Sequence, residues 1–207
     1  MDGILISSLA SVERSWTKWA NLRGLDPAYV LTVIHGRRAI ETAAELRPDL
    51  DPETELKLIE EIECADGEGI EILPGVKELL AALPAHRWTV VTSATEKLAR
   101  TRLALIGLPV PERLITANSV PQGKPHPMPY LEGAKILGFP AAECVVIEDS
   151  ASGVQAGEAA GCTVIGTTFS HTPKELAAAH YLVRDLTGIE VTEIHDGLEL
   201  RFAAIES

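Results

Sequence analysis

From residue 74 onward, short apolar runs rich in β-branched residues alternate with short helical segments. The runs at residues 89–92, 144–147 and 163–166 contain few polar side chains, so each predicts a strand buried on both faces. Glycine or proline follows the intervening helical segments and predicts where they end. Strands that alternate with helices predict an α/β core with a doubly wound, Rossmann-like parallel sheet.

Weaker patterns complete this predicted core. Further strands are expected at residues 114–116, 180–183 and, as an edge strand, 198–202. Helices are expected at residues 76–83, 96–106, 128–137, 153–160 and 173–179.

The chain before residue 74 has a different pattern. Val12, Trp16 and Trp19 follow three-and-four spacing and predict a first helix. A second helix is expected from Pro27, and a fourth from Pro52, because proline is favoured at the first position of a helix. A third lies between them, at residues 40–46. These patterns predict a core domain of residues 1–8 and 74–207, with a small α-helical cap domain, residues 9–73, inserted into it.

Charge and cysteine content restrict the possible partners. The chain has 207 residues, a net charge of -12 and an isoelectric point near 4.9, which argues against nucleic acid or an anionic membrane as the main partner. The three cysteines are far apart and predict no disulfide framework. No apolar run approaches the ~20 residues of a membrane span. We expect a cytoplasmic protein, a monomer or weak dimer, that acts on a small molecule.

Polar residues follow two of the predicted strands. Thr92 and Ser93 come after the first, where hydroxyl and amide groups at a helix N-terminus form either a plain helix cap or a phosphate site. Glu148 and Asp149 come after the second. Two adjacent carboxylates are either a solvated pair or a Mg²⁺ site, since Mg²⁺ takes one or two carboxylates together with water and phosphate. In parallel sheets, ligands bind beyond the carboxyl ends of the strands.

Three other segments carry candidate residues. Lys124 lies in G-K-P-H-P, where the prolines stiffen the backbone, so this lysine is either a fixed cation for phosphate or part of a surface turn. His35 and Arg38 lie in a cationic loop between two cap helices, which is either a substrate contact or a helix end. Asp2 directly precedes a glycine near the start of the chain.

The order of these motifs is more informative than any one of them. An acid before glycine, a helical insertion, T-S after a strand, G-K-P-H-P and then V-V-I-E-D-S-x-x-G resemble the haloacid dehalogenase superfamily along nearly the whole chain. The stretches L-I-T-A-N-S-V-x-Q-G-K-P-H-P and E-A-A-G-C-T-V-I-G are similar to its phosphatases of glycerol phosphate and 2-deoxyglucose phosphate, and the fold is also that of β-phosphoglucomutase-like proteins.

This resemblance implies a role for each candidate residue. Asp2 would be the general acid and base and contribute to the metal site, Thr92 with the Ser93 amide would hold the phosphoryl group, and Lys124 would neutralise it. Asp149 with Glu148 would bind Mg²⁺, the implied cofactor. His35 and Arg38 of the cap would contact the substrate.

One departure from the family pattern bears on activity. Asp2 matches the second aspartate of the family's D-x-D-G motif, so the nucleophilic first aspartate would directly precede Met1, and the apolar strand before it is absent from this sequence. We expect that the natural protein begins further upstream. Two alternatives are a shortened relative that only binds ligand and a protein in which another segment replaces the strand.

The resemblance implies an enzyme, a Mg²⁺-dependent phosphatase that hydrolyses a small phosphorylated sugar or polyol, such as glycerol phosphate, through an aspartyl-phosphate intermediate. Two alternatives stay open at this stage. One is a phosphomutase of the same fold, and the other is a phosphate-binding relative without catalysis.

Overall fold

The computed structural model describes residues 1–34, 36–195 and 197–205. Its helices are α1 (Leu9–Leu22), α2 (Pro27–Val33), α3 (Ala39–Leu46), α4 (Pro52–Ala65), α5 (Val76–Ala82), α6 (Glu96–Leu105), α7 (Met128–Leu137) and α8 (Ala151–Ala159). Its strands are β1 (Ile6–Ser7), β2 (Glu71–Ile72), β3 (Val145–Glu148), β4 (Thr163–Thr167), β5 (Tyr181–Val183), β6 (Glu190–Ile194) and β7 (Gly197–Arg201). Within the described ranges, no helix is long and apolar enough to cross a membrane.

The parallel sheet predicted from the sequence is present. Strands β3, β4 and β5 pair in that order, with Val146 opposite Val164 and Gly166 opposite Leu182. Helices α7 and α8 pack beside this sheet, and α8 contacts both β3 and β4. The side chains between the sheet and these helices form a buried cluster that includes Val154 and Leu176. The chain is therefore an α/β protein.

Helices α1 to α4 have a buried core of their own. Trp16 and Trp19 pack edge to face at its centre, with ring centroids 5.4 Å apart. Trp19 donates a hydrogen bond to Glu55 on α4, and Arg23 pairs with the same carboxylate. A short antiparallel ribbon of β1 and β2, which the sequence did not predict, joins the two ends of this helical segment.

Capping residues explain where several helices begin. Asp26 accepts a hydrogen bond from the Ala28 amide at the start of α2, and Asp51 accepts one from the Thr54 amide at the start of α4. Each side chain satisfies a backbone donor that the helix itself leaves free. Proline occupies the next position in both helices, as the sequence predicted.

Three sequence predictions need correction. Residues 89–92 and 114–116 were expected to form strands, but between them they make a single parallel bridge, Val91 with Ile115. Residues 173–179 were expected to be helical and form turns instead. The last strand, β7, is present, but it pairs with β6 in an antiparallel hairpin that the sequence analysis missed, because β6 is mostly exposed and lacks an apolar pattern.

Candidate active site

The carboxyl ends of the parallel elements surround a cavity of about 470 Å³. Thr92 and Ser93 follow the bridge at Val91, and Asp149 follows β3. The cavity is lined by six of the predicted site residues, namely Asp2, Thr92, Ser93, Lys124, Glu148 and Asp149. Residues that are up to about 150 positions apart in sequence therefore meet at the sheet edge where ligands of such folds bind.

Glu148 is buried and fully engaged by neighbouring donors. One carboxylate oxygen, Oε1, pairs with the Lys124 ammonium and accepts a hydrogen bond of 2.6 Å from the Tyr130 hydroxyl. The other oxygen accepts bonds from the amides of Asp149 and Ser150 and from the Ser150 hydroxyl. Burial alone would raise the pKa of Glu148, but Lys124 and these hydrogen bonds outweigh it and lower the pKa to about 2.

These contacts give Glu148 a positioning role. Its predicted role as a metal ligand beside Asp149 stays a prediction. Both of its oxygens are already occupied, so the side chain holds Lys124 and the loop after β3 in place. Gly153 makes room for this arrangement, because a Cβ atom there would lie 2.1 Å from the carboxyl carbon of Glu148.

Asp149 has a different environment, although it is the next residue. Its Oδ2 accepts a 2.5 Å hydrogen bond from the Ser170 hydroxyl, which follows β4. Gly3, with φ of +70°, packs directly against the Asp149 carboxylate. Burial and the neighbouring Glu148 charge raise the pKa of Asp149 to about 6. A carboxylate this poorly solvated is one that a cation would stabilise.

Asp2 lines the same cavity and is held by two donors. Oδ1 accepts hydrogen bonds from the Ser8 hydroxyl at 2.5 Å and from Arg102 Nη1 at 2.9 Å. Burial would raise the pKa of Asp2, but Arg102 and the Ser8 bond outweigh that effect and lower it. The Arg102 side chain is 3% exposed and also donates to Glu63 on α4 at 3.2 Å. The same guanidinium therefore joins the Asp2 region to α4.

The two predicted cap residues are placed differently from one another. His35 lies outside the described residues. Arg38 is not among the residues that line the cavity, because its guanidinium pairs with Glu41 and donates to the carbonyls of Val120 and Pro121, each at 3.0 Å. The neighbouring Arg37 does line the cavity. The loop between α2 and α3 contributes a backbone group as well, since the Gly36 carbonyl accepts hydrogen bonds from the hydroxyls of Ser93 and Ser152.

Sequence analysis missed Arg102, Tyr130 and Ser170. Arg102 carried a usable signal, because it falls on the apolar face of α6 with Leu98, Ala99 and Leu103. A charged residue on such a face is rarely buried without partners, so it predicts ion pairs. Ser170 lies in a turn without a recognisable motif, and no feature of the sequence indicates its contact with Asp149.

The residues fit a divalent cation in chemistry but do not form a complete protein cage. No group of three histidine, cysteine or acidic side chains close enough to hold a metal occurs in the described part of the chain. Asp149 and Asp2 supply carboxylate oxygens to a cavity in which acidic residues outnumber basic ones. Mg²⁺ typically binds through one or two carboxylates, water and a substrate phosphate, so this donor set suits it.

Comparison with known proteins identifies the family. The family model described as haloacid dehalogenase-like hydrolase matches residues 1–161. The chain belongs to this family. The resemblance inferred from the motifs is thereby confirmed.

Two curated proteins and one solved structure illustrate how far the similarity extends along this chain. Hexitol phosphatase A of Escherichia coli is 40% identical over 202 residues, covering 95% of this chain and 94% of that protein. Glycerol-1-phosphate phosphohydrolase 1 of Saccharomyces cerevisiae is 36% identical over 219 residues, covering 98% and 88%. A hydrolase from Pseudomonas syringae has the same fold, with a TM-score of 0.76, 24% identity and coverage of 89% and 91%.

Proposed function

We propose that the chain is a phosphatase of small phosphorylated sugars or polyols that depends on Mg²⁺. The observation that carries this proposal is the convergence of Asp2, Thr92, Lys124 and Asp149 on one cavity. The relatives named hexitol phosphatase and glycerol-1-phosphate phosphohydrolase support the substrate class. Their names also favour hydrolysis over transfer by a phosphomutase. A cytoplasmic location and a monomeric or weakly dimeric state stay predictions.

The positions of the polar groups support a division of labour. Thr92 and the Ser93 amide would bind the phosphate oxygens, as donors in the loop that leads into α6. The Lys124 ammonium, fixed by Glu148, would offset the negative charge of the phosphate. Both groups are held before the substrate arrives, so little reorganisation is needed when charge develops on the phosphoryl oxygens.

Asp2 would carry out proton transfer. It would give a proton to the leaving alkoxide as general acid and then take one from water as general base. Its lowered pKa favours the ionised form that the second of these steps needs. The hydrogen bonds from Ser8 and Arg102 both end on Oδ1. They hold the carboxylate in a fixed orientation.

Asp149 and Asp2 would hold Mg²⁺. When bound, the ion would neutralise charge on the phosphate and help to orient it. The acidic lining of the cavity makes such a cation necessary, because a phosphate dianion would otherwise be repelled by Asp149 and its neighbours. Arg37, at the cavity edge, is a candidate contact for the substrate's remaining groups.

Phosphate release tests the proposal. Glycerol 1-phosphate, a hexitol phosphate and 2-deoxyglucose 6-phosphate are incubated with Mg²⁺ and two proteins: the 207-residue chain, and the same chain preceded by an apolar strand that ends in aspartate. We expect hydrolysis by the extended protein and its loss by at least ~10²-fold in Lys124→Met and Asp149→Asn. Lys135→Met, in an exposed pair with Glu132, is the matched control and keeps full activity. Full turnover by Asp149→Asn would refute the assigned roles.

A further inference from the structure

Two of the three cysteines lie at the same end of the parallel sheet. Cys144 directly precedes β3, and Cys162 directly precedes β4. Their separation in sequence suggests no pairing, but β3 and β4 are neighbouring strands that run in the same direction. The residues just before the two strands are therefore brought side by side.

The register of the strands places the two cysteines opposite each other. Val145 lies opposite Thr163, and the Thr163 amide donates a hydrogen bond of 3.0 Å to the Cys144 carbonyl. Cys144 itself has an extended backbone, with φ of -101° and ψ of 145°. The parallel ladder thus continues back by one residue, to positions 144 and 162.

Both thiol side chains lie on the same face of the sheet. Successive side chains of a strand alternate between faces, so Cys144 shares its face with Val146, and Cys162 shares its face with Val164. All four belong to one buried cluster. Helix α8 covers this face, since a Cβ atom at Gly157 would lie 2.9 Å from Val164 and 3.4 Å from Val146. The two thiols are therefore directed to the same side, beneath one helix.

This placement suits a disulfide bond. Neighbouring strands lie roughly 4.8 Å apart, and a disulfide joins Cα atoms that are roughly 4.4–6.8 Å apart. The two thiols also interact: burial is the main cause that raises the pKa of Cys162 to about 11, and Cys144 adds to it. In the part of the chain that the structure describes, no group of three histidine, cysteine or acidic side chains could hold a metal, so the pair does not belong to such a site.

We infer that Cys144 and Cys162 are a site of oxidation by hydrogen peroxide, at which an intrachain disulfide joins the starts of β3 and β4. Their facing positions in the parallel ladder carry the inference. Cys144 is half-buried and Cys162 is 3% exposed, so peroxide meets Cys144 first and Cys162 then displaces the oxidised oxygen. The inference does not depend on the proposed function, because it concerns the amino ends of the strands, away from the candidate active site.

The oxidation has two balanced steps. In the first, the Cys144 sulfur attacks one oxygen of hydrogen peroxide, the O–O bond breaks, and the departing hydroxide takes the thiol proton and leaves as water. In the second, the Cys162 sulfur attacks the sulfur of the resulting sulfenic acid. The S–S bond forms, the S–O bond breaks, and hydroxide leaves with the Cys162 proton as a second water. The two thiols together lose two electrons, and one peroxide molecule gains them.

The closeness of the two thiols, and not an activated thiolate, favours this reaction. Burial raises the pKa of the Cys144 thiol, and Glu143 adds to the effect. The thiolate is the nucleophile in both steps, so we expect slow oxidation at neutral pH. The experiment is therefore run at about pH 9, where more of the thiolate is present.

Peptide mapping of the oxidised 207-residue chain tests the inference. After treatment with hydrogen peroxide, free thiols are alkylated and the chain is cut after glutamate. Cuts after residues 143, 148, 158 and 175 release residues 144–148 and 159–175 as separate peptides. We expect these peptides to be joined, with a mass lower than their sum by two hydrogen atoms, and to be separated by dithiothreitol. The thiol content measured in urea should fall from three per chain to one.

The stability of the oxidised protein gives a second readout. The bond would close a loop that contains Asp149 and helix α8. A cross-link that fits the native geometry restricts mainly the unfolded chain, so the midpoint of urea unfolding should rise on oxidation and return to its first value after reduction.

Cysteine variants assign the two roles. Cys64 lies on α4 and is also half-buried, so Cys64→Ser is the matched control and should form the same link. Cys162→Ala should stop at the Cys144 sulfenic acid, which dimedone traps. Cys144→Ala should leave Cys162 reduced for at least ~10-fold longer, because that thiol is buried. Folding of each variant is verified by circular dichroism, and if one fails to fold, the map of the wild-type chain still decides the question.

Three results would overturn the inference. The first is a Cys144 that is oxidised to sulfinic acid, or not oxidised at all, while Cys162 stays open to alkylation in urea. The second is a disulfide that includes Cys64 or that joins two chains. The third is a urea midpoint that falls on oxidation, which would mean that the native register of β3 and β4 does not accommodate the bond.

Discussion

Arg102 Nη1 donates a hydrogen bond of 2.9 Å to Asp2 Oδ1, although a hundred positions separate the two residues in sequence. The guanidinium is buried and also pairs with Glu63, so it stands between two carboxylates. Removing one member of a buried ionic group leaves the other charges without compensation. The arrangement therefore makes Arg102 a stability determinant as well as a positioning residue for Asp2.

We expect Arg102→Met to lower the free energy of unfolding by about 3–5 kcal/mol, measured by urea denaturation near neutral pH. Arg100→Met is the matched control on the same helix. Arg100 forms an exposed pair with Glu96, so its loss should cost no more than ~0.5 kcal/mol. Equal losses of unfolding free energy in the two variants would contradict the burial of Arg102 between two carboxylates.

Lys124 and Glu148 should behave as one energetic unit. Each single substitution, Lys124→Met or Glu148→Gln, leaves a buried polar group without its partner and should cost about 3–5 kcal/mol. The double variant should cost clearly less than the sum of the two single variants. A double-mutant cycle on the exposed Lys135–Glu132 pair provides the comparison and should show almost no coupling. Additive losses at Lys124 and Glu148 would show that the pair is not formed.

Gly3 tests the close packing against Asp149. Gly3 and Gly24 both have positive φ, +70° and +67°, so alanine at either position is strained by about 1–2 kcal/mol. A Cβ atom at Gly24 meets nothing within 4 Å, whereas one at Gly3 falls 1.9 Å from Asp149 Oδ2. Gly3→Ala should therefore destabilise the protein by at least ~1 kcal/mol more than Gly24→Ala in denaturant titrations. If the two variants have the same free energy of unfolding, Gly3 does not pack against Asp149 as described.

Glu63 should give stability a pH dependence. Burial raises its pKa from 4.5 to about 7 despite the opposing effect of Arg102. Between about pH 4.5 and 7, the folded state binds more protons at this site than the unfolded state, so its contribution to stability decreases as pH rises. The difference between wild type and Glu63→Gln should change by on the order of 1–3 kcal/mol across this interval.

The control for this titration is Glu61→Gln, an exposed position on the same helix. Its stability should follow that of wild type at every pH. If the free energy of unfolding of the wild type changes with pH in parallel with that of Glu63→Gln, the pKa of Glu63 is not raised in the folded protein.

Much of the fold could be predicted because its signals are local. Buried strands β3 and β4 are continuous apolar runs, and proline marks the start of α2 and α4. Strand β6 carries no such signal, since it is largely exposed, whereas its partner β7 is half-buried and was predicted as an edge strand. Residues 89–92 have the composition of a buried strand, but they make only a single bridge, Val91 with Ile115, so no regular strand forms there.

The same distinction applies to the candidate site. Thr92, Lys124 and Asp149 belong to motifs with fixed order, so they could be selected from the sequence. The contacts of Glu148 could not, because its side chain reaches back to Lys124 and Tyr130 instead of following its neighbour Asp149. The difference between Arg37 and Arg38 depends on the direction of each side chain, which adjacent positions in a loop do not specify.

The contact of Arg38 with the carbonyls of Val120 and Pro121 bears on how this protein could be redesigned. Gly123 leaves the space for that guanidinium, because a Cβ atom there would lie 2.7 Å from Arg38 Nε. The loop that receives Arg38 leads directly into Lys124. A chimera that exchanges the helical segment for that of another enzyme would thus have to transplant residues 120–123 as well, or lose the contacts that support the loop before Lys124.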